Sequence, residues 1–288
     1  MRKLLLIISF VCLSTSALAC DKQVTVPLLE SSKDRLILDL LKLSLSKTSI
    51  QYCINEYNQV LTEGRKASHV KKGILSLQWA STGSQSSQLL QAVKHPIFRG
   101  LTGFRLLVIR EGEQSTFDQI KDLTGLKGLT AGQGQFWGDT QVLRANNLPV
   151  VTSTQARKLW KMLHLKRFDY LPLGLHEPWK DLKMRPSYHL SVEKNWILSY
   201  PAALYFYTQD QESELHKNLT QGMQAALDDG SYQNMLISSD MFQSIIKQAS
   251  VEKRRVIELN NPYNQNTELQ SIAKNFLNQY LSSRTVQN

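Results

Sequence analysis

The side chains of this chain that are able to do chemistry are suited to gripping a molecule, and they lack the spacing of groups that cleave one. Trp79 is followed by Ser81 and Thr82, and Gln133, Gly134 and Gln135 lead to Trp137 and Asp139. Gly174 is followed by His176 and Glu177. An indole stacks on a flat or apolar part of a ligand. Hydroxyls and amides hydrogen-bond polar edges, and a carboxylate such as Asp139 or Glu177 accepts an ammonium. Each also has a plain structural use: core packing for Trp79, helix capping for Ser81, Thr82 and Asp139, and a surface pair for His176 with Glu177. The run Gly132-Gln-Gly134 precedes a helix, so its N–H groups offer an anion cradle, a tight turn being the alternative. It is no dinucleotide fingerprint, because Trp137 stands where the third glycine would fall. The sequence holds no Gly-x-Ser-x-Gly, no His-Glu-x-x-His, and no Ser-x-x-Lys with supporting motifs. The six histidines form no metal set. No enzyme activity, metal or cofactor is expected; a cleft dehydratase, built on Glu30 and Glu177, is the alternative.

The elements that must position these groups follow from periodicity. Val24–Leu29, Ile50–Tyr57 and Ile74–Trp79 read as strands. Between them, Asp34–Ser46 and Gln59–Lys71 read as helices, the first with apolar residues at Leu36, Ile37, Leu40, Leu41, Leu43 and Leu45. Strand–helix alternation implies parallel sheets with crossover helices. The pattern repeats with strands at Phe104–Ile109, Gly128–Ala131, Pro149–Val151, Arg167–Leu171 and Leu204–Tyr207. Helices are expected over 137–146, 154–165 and 211–227, and the tail reads as helical. In such sheets ligands sit beyond the carboxyl ends of the strands. That rule selects Glu30, Trp79, Ser81, Thr82, Gln133, Gly134, Gln135, Trp137, Asp139, Gly174 and Glu177 as ligand-binding candidates.

The first residues carry an address. Arg2-Lys3, an apolar run from Leu4 to Leu13 and Ala17-Leu18-Ala19 have the order of a secretory signal peptide cleaved before Cys20. A periplasmic location is expected, with a lipoprotein anchored through Cys20 as the alternative; membrane contact is expected only in that case. Cys20 and Cys53 then remain, and an oxidising compartment favours a disulfide between them. Hydrophobic content of 42% and charged content of 20% are those of a globular protein. The net charge is +10, but the cations are scattered and the densest cluster is Lys253-Arg254-Arg255, which argues against nucleic acid.

The ordered set of parts resembles the extracytoplasmic solute-binding proteins of family 3, and in detail a subgroup whose ligands are little described. The resemblance rests on Pro96-Ile-Phe-Arg-Gly100, Asp122-Leu-Thr-Gly-Leu126 and Gly132-Gln-Gly134 with Trp137 and Asp139. Further support comes from Arg167-Phe-Asp-Tyr170, Asp229-Gly-Ser-Tyr232, and Arg255-Val-Ile-Glu258 followed by Asn261-Pro262. It implies an α/β, two-lobe, type 2 periplasmic-binding-protein fold, each lobe a mostly parallel sheet flanked by helices, joined by two crossing strands. Lobe 1 is expected to comprise 20–100 and 202–288, and lobe 2 the inserted 101–201, after a signal peptide at 1–19. The implied function is capture of a small polar molecule in a hinged cleft for ABC-type uptake, with a ligand-sensing partner of a membrane signalling protein as the alternative. The expected partners are a small molecule and an inner-membrane permease or sensor, and the expected state is a monomer. Two anchors of the pattern are missing. Ser84-Gln-Ser-Ser-Gln88 lacks the arginine that grips an α-carboxylate, and Leu173 stands where subgroup relatives show arginine. Arg99 and Arg105 are the substitutes nearby.

Overall fold

The computed structural model describes residues 20–135 and 137–285; the expected leader, 1–19, lies outside the described residues. The chain opens with β1 (Lys22–Val26), α1 (Ser32–Ser46), β2 (Tyr52–Glu56), α2 (Glu63–Lys71), β3 (Leu77–Ser81), α3 (Gln85–Leu89) and β4 (Gln91–Ala92). The middle runs through β5 (Phe104–Arg110), α4 (Gln114–Asp118), α5 (Leu123–Leu126), β6 (Ala131–Gly134), α6 (Gly138–Ala145), β7 (Val150–Ser153), α7 (Ala156–His164), β8 (Leu171–Gly174), α8 (Pro178–Met184) and β9 (Leu190–Ser199). The remainder holds β10 (Leu204–Thr208), α9 (Glu214–Asp228), α10 (Ser231–Ser238), α11 (Asp240–Gln248), β11 (Arg255–Glu258) and α12 (Glu268–Thr285).

Local chemistry explains the elements. Ser31 caps α1, its hydroxyl accepting the Asp34 N–H, and the helix buries Ile37, Leu38, Leu40, Leu41 and Leu45. These side chains meet Leu219, Met223 and Phe206 in the core of the first lobe. In the second lobe, Leu107 and Val108 are neighbours on β5 yet belong to different apolar clusters, because successive strand residues face opposite sides of the sheet.

The sheets are mixed. β1–β2, β6–β7 and β9–β11 are parallel pairs, as crossover helices require. The antiparallel pairs belong to the strands that carry the chain between lobes: β10 against β3 and β4, and β5 against β8 and β9.

Several expectations shift. The longest strand, β9, is hidden in sequence because Glu193-Lys-Asn interrupts its apolar residues. Glu193 is nevertheless fully buried, its carboxylate accepting the N–H groups of Asn195 and Trp196 at 2.8 and 2.7 Å. Gly132-Gln-Gly134 forms β6 where a turn was expected, and β8 begins at Leu171 where that strand was expected to end. The tail is not all helix: β11 adds to the second sheet beside β9, so residues 202–288 do not stay with the first lobe throughout. The chain makes a third crossing after β11 and returns to pack Ala273, Phe276 and Leu277 of α12 into the first core. Asparagines fasten this crossing. The Asn146 side chain both donates to and accepts from the Asn260 backbone, and Asn261 donates to Pro201 O at 2.7 Å. The basic run nearby is dispersed: Arg254 bonds the backbone of Ala249 and Glu193, and Arg255 lies 4.0 Å over the Trp196 ring.

Cys20 and Cys53 form a disulfide with Cα atoms 5.5 Å apart, tying the start of the described chain to β2.

Candidate functional site

Between the two lobes lies a cleft of about 350 Å³. Its first wall is made by the start of α1, where Lys33 and Asp34 stand, and by Trp79 to Ser84 at the end of β3. Its second wall comes from Arg105 on β5, Trp137 to Asp139 at the start of α6, and Gly174, His176 and Glu177 after β8. Tyr200 and Asn261, on crossing segments, close the back, and Tyr263 stands at the rim, half exposed.

Trp79 has two roles at once. It is 8% exposed and packed into the first core, and its indole N–H donates to Asp34 Oδ1 at 2.9 Å. Asp34 Oδ2 also accepts from the Ser31 hydroxyl at 2.7 Å, so this carboxylate is engaged in fixing the cleft wall. Thr82 is held by both its N–H and its hydroxyl against the Ala203 backbone. Ser81 is exposed, and the Ser84 hydroxyl is buried without a hydrogen-bond partner.

The floor of the second wall is a charged cluster. The Arg105 guanidinium contacts Asp139 Oδ1 at 2.7 Å and donates to the carbonyls of Thr102 and Phe104. The Tyr200 hydroxyl donates to the same Asp139 oxygen, and Arg105 lies 5.3 Å from the Tyr200 ring centroid. Burial opposes the Arg105 charge, but Asp139, Tyr200 and Glu177 together outweigh it and hold the guanidinium more firmly protonated. Burial and Asp139 raise the Tyr200 phenol well above its ordinary value, despite the opposing pull of Arg105. A ligand carboxylate would have to displace Asp139 to reach Arg105. Arg99 does not line the cleft, and burial lowers its pKa.

Glu177 is different. Its Oε2 accepts the Gly174 N–H at 2.6 Å, and it has no salt-bridge partner among the described residues. Burial alone would raise its pKa; the fields of His176, Lys33 and Arg105 and the Gly174 N–H override that and lower it to about 2. His176 is pushed down to about 4, mainly by burial. At neutral pH the cleft therefore presents an ionised carboxylate beside a neutral imidazole. Lys33 faces this pair electrostatically from the other wall, again without a salt-bridge partner among the described residues. Among the described residues no cluster of His, Cys, Asp and Glu is arranged to hold a metal ion.

Of the residues selected from sequence, the cleft gathers Trp79, Ser81, Thr82, Trp137, Asp139, Gly174 and Glu177. Glu30 stands outside it, exposed and 3.9 Å from Lys66. Gln135 is exposed beyond the end of β6. Gln133 is fully buried, its amide donating to Pro172 O at 3.2 Å. Gly134 lies beneath Trp137, where a Cβ would come within 2.5 Å of the indole, and a Cβ on Gly132 would meet the Phe168 ring at 2.1 Å. These glycines thus make room for aromatic rings. Their segment makes no anion cradle, because its N–H groups are already engaged, Gly132 N–H with Tyr170 O at 2.8 Å and Gly134 N–H with the Gln133 side-chain oxygen at 3.3 Å. Lys33, Asp34, Ser84, Tyr200 and Tyr263 were not selected: they stand at helix starts and crossings, which the strand-end rule passes over.

No family model matches the sequence, and no curated protein sequence matches it. Solved structures do resemble the fold. An ancestral arginine-binding protein bound to arginine superposes with a TM-score of 0.54 at 14% identity, over 75% of this chain and 97% of that one. An amino acid ABC transporter substrate-binding protein from Streptococcus pneumoniae, bound to L-arginine, gives 0.54 at 13% identity, over 77% and 95%. The BvgS VFT2 domain of Bordetella pertussis gives 0.56 at 16% identity, over 75% and 91%. At these identities the likeness is one of architecture, and the chain has the two-lobe periplasmic-binding-protein fold.

Proposed function

We propose that this protein binds a small polar solute in its interlobe cleft and catalyses no reaction on it. The observation that carries this reading is the cleft itself. Aromatic and hydrogen-bonding groups from both lobes converge on it, while its strongest cation, Arg105, is already neutralised by Asp139. The groups left to read a ligand are Glu177 and Lys33 on opposite walls, the unpartnered Ser84 hydroxyl, and the faces of Trp79 and Trp137. Charges of opposite sign without direct partners select a solute with no net charge, zwitterionic or neutral, over an anion. Capture for ABC-type uptake outside the cytoplasm, after removal of residues 1–19, is the favoured use. The likeness to a transporter substrate-binding protein supports it, as does the order of charges and apolar residues at the start of the sequence.

A thermal-shift screen of amino acids, sugars, small peptides and amines tests the reading. A matching solute raises the melting temperature with the logarithm of its excess over the dissociation constant, and Glu177→Gln weakens that shift. A panel of this breadth with no stabilising compound would sink the proposal and favour a protein partner.

A further inference from the structure

One stretch of the second lobe, residues 157–167, presents a row of lysines and arginines to solvent. Helix α7 buries Leu159, Trp160 and Leu163 against the sheet. Its Arg157, Lys158 and Lys161 are exposed. On a helix of 3.6 residues per turn these cations fall within an arc of about 100°, and Leu165 continues the same stripe. Lys166 and Arg167 follow in the turn and are exposed as well. Helix α8 and the turn after it lie alongside. The Arg185 guanidinium sits 5.2 Å over the Trp160 ring, and His164 stacks on Tyr188 at 5.3 Å, so the end of α8, where Lys183 and Met184 are exposed, stands beside α7. The neighbouring carboxylates are already taken, Asp169 by Arg110 and Asp181 by Arg185. None of Arg157, Lys158, Lys161, Lys166, Arg167 or Lys183 has a salt-bridge partner among the described residues. Leu165, on the cationic stripe, and Met184, at the end of α8, stand 51% and 58% exposed.

We infer that this face docks on an anionic phospholipid bilayer. Unpaired cations along a convex helix match a sheet of phosphate headgroups, and apolar side chains projecting among them match the boundary where headgroups meet acyl chains. A protein partner is a poorer fit, since protein interfaces concentrate their energy in aromatic anchors, and no large aromatic of this face is exposed among the described residues. The inference is independent of what the cleft binds, and it needs no lipid on Cys20.

Sedimentation of the purified protein with large unilamellar vesicles decides it. Vesicles of phosphatidylcholine mixed with phosphatidylglycerol are compared with pure phosphatidylcholine, which controls for insertion of a retained leader or an acyl chain. Binding is expected on the anionic vesicles, weakened by salt. Each cation removed is expected to lower the partition coefficient roughly fivefold, so the combined Arg157→Gln, Lys158→Gln, Lys161→Gln variant falls about a hundredfold. Should that variant misfold, high salt with the native chain performs the same test. Equal binding to both vesicle types, or undiminished binding by a folded variant, would overturn the inference. Retention on heparin or polyglutamate with no vesicle binding would also overturn it, in favour of an acidic macromolecule.

Discussion

His176 gives the cleft a measurable pH signature. Its ring lies near Phe98, and burial, reinforced by Lys33 and Arg105 against the opposing pull of Glu177, lowers its pKa to about 4. In the unfolded chain it titrates near about 6.5. Between these values the unfolded state takes up a proton that the folded state refuses, so stability falls as pH drops from about 6.5 toward about 4. Going from about pH 7.5 to pH 5, the loss from this residue is about 1–2 kcal/mol. His176→Gln should flatten that part of the profile in urea unfolding, and an unchanged slope would show that the imidazole is not held neutral. The two tryptophans separate by the same kind of measurement. Trp79 is core and wall together, so Trp79→Ala should cost about 3–5 kcal/mol in the unliganded protein as well as weakening solute binding. Trp137 is only partly buried over Gly134, so Trp137→Ala should cost about half of that or less and act mainly on binding. Equal losses of unliganded stability would mean that Trp137 is a core residue too.

At the scale of elements, the disulfide and the hidden strands show what a sequence carries openly. Cys20–Cys53 closes a loop of sequence separation 33 between the residues just before β1 and the first half of β2. Constraining such a loop in the unfolded chain is worth up to about 3–4 kcal/mol, and Cys53→Ser should lower stability by that order. Thiol titration of the denatured, non-reduced native protein should find none free. Two free thiols would mean that the bond does not form in the cell. The strand–helix–strand units were legible because each buries one continuous apolar face: Ile37, Leu40 and Leu41 on α1 are a helical stripe, and Leu77 to Ala80 is a fully buried strand. β9 and β11 were not legible, for identifiable reasons. β9 hides a buried carboxylate, Glu193, whose partners are Gln114 of α4, its own backbone and Arg254 at 3.9 Å, so its polar centre reads as a loop. β11 is four residues long, and its outer side chains are exposed. The cleft was half legible. Strand ends supplied Trp79, Asp139 and Glu177, whereas Lys33, Tyr200 and Tyr263 reach it from a helix start and from crossing segments, whose placement depends on how the two lobes meet.

For the whole molecule, the important feature is that the cleft belongs to neither lobe alone. The crossings near Gly103 and Tyr200 are joined by Tyr200 N–H to Gly103 O at 3.0 Å, and the asparagine-fastened crossing lies beside them, so relative motion of the lobes has a narrow base about which to turn. Lys33 and Trp79 on one wall face Glu177 and Trp137 on the other, so a solute touching both gains more when the walls approach than when they part. A ligand shifts such an equilibrium only by its difference in affinity for the two states. The solute found by thermal shift should therefore also reduce the radius of gyration in small-angle scattering. The reduction should saturate as the site fills, while the stabilisation goes on rising logarithmically and reaches about 2.7 kcal/mol at a hundred times the dissociation constant. Lys33→Ala and Glu177→Gln act on opposite walls, and each should move both readouts together. Stabilisation without any change in scattering, in the native protein and in both variants, would place the ligand on one lobe and remove the reason for reading the fold as a closing receptor.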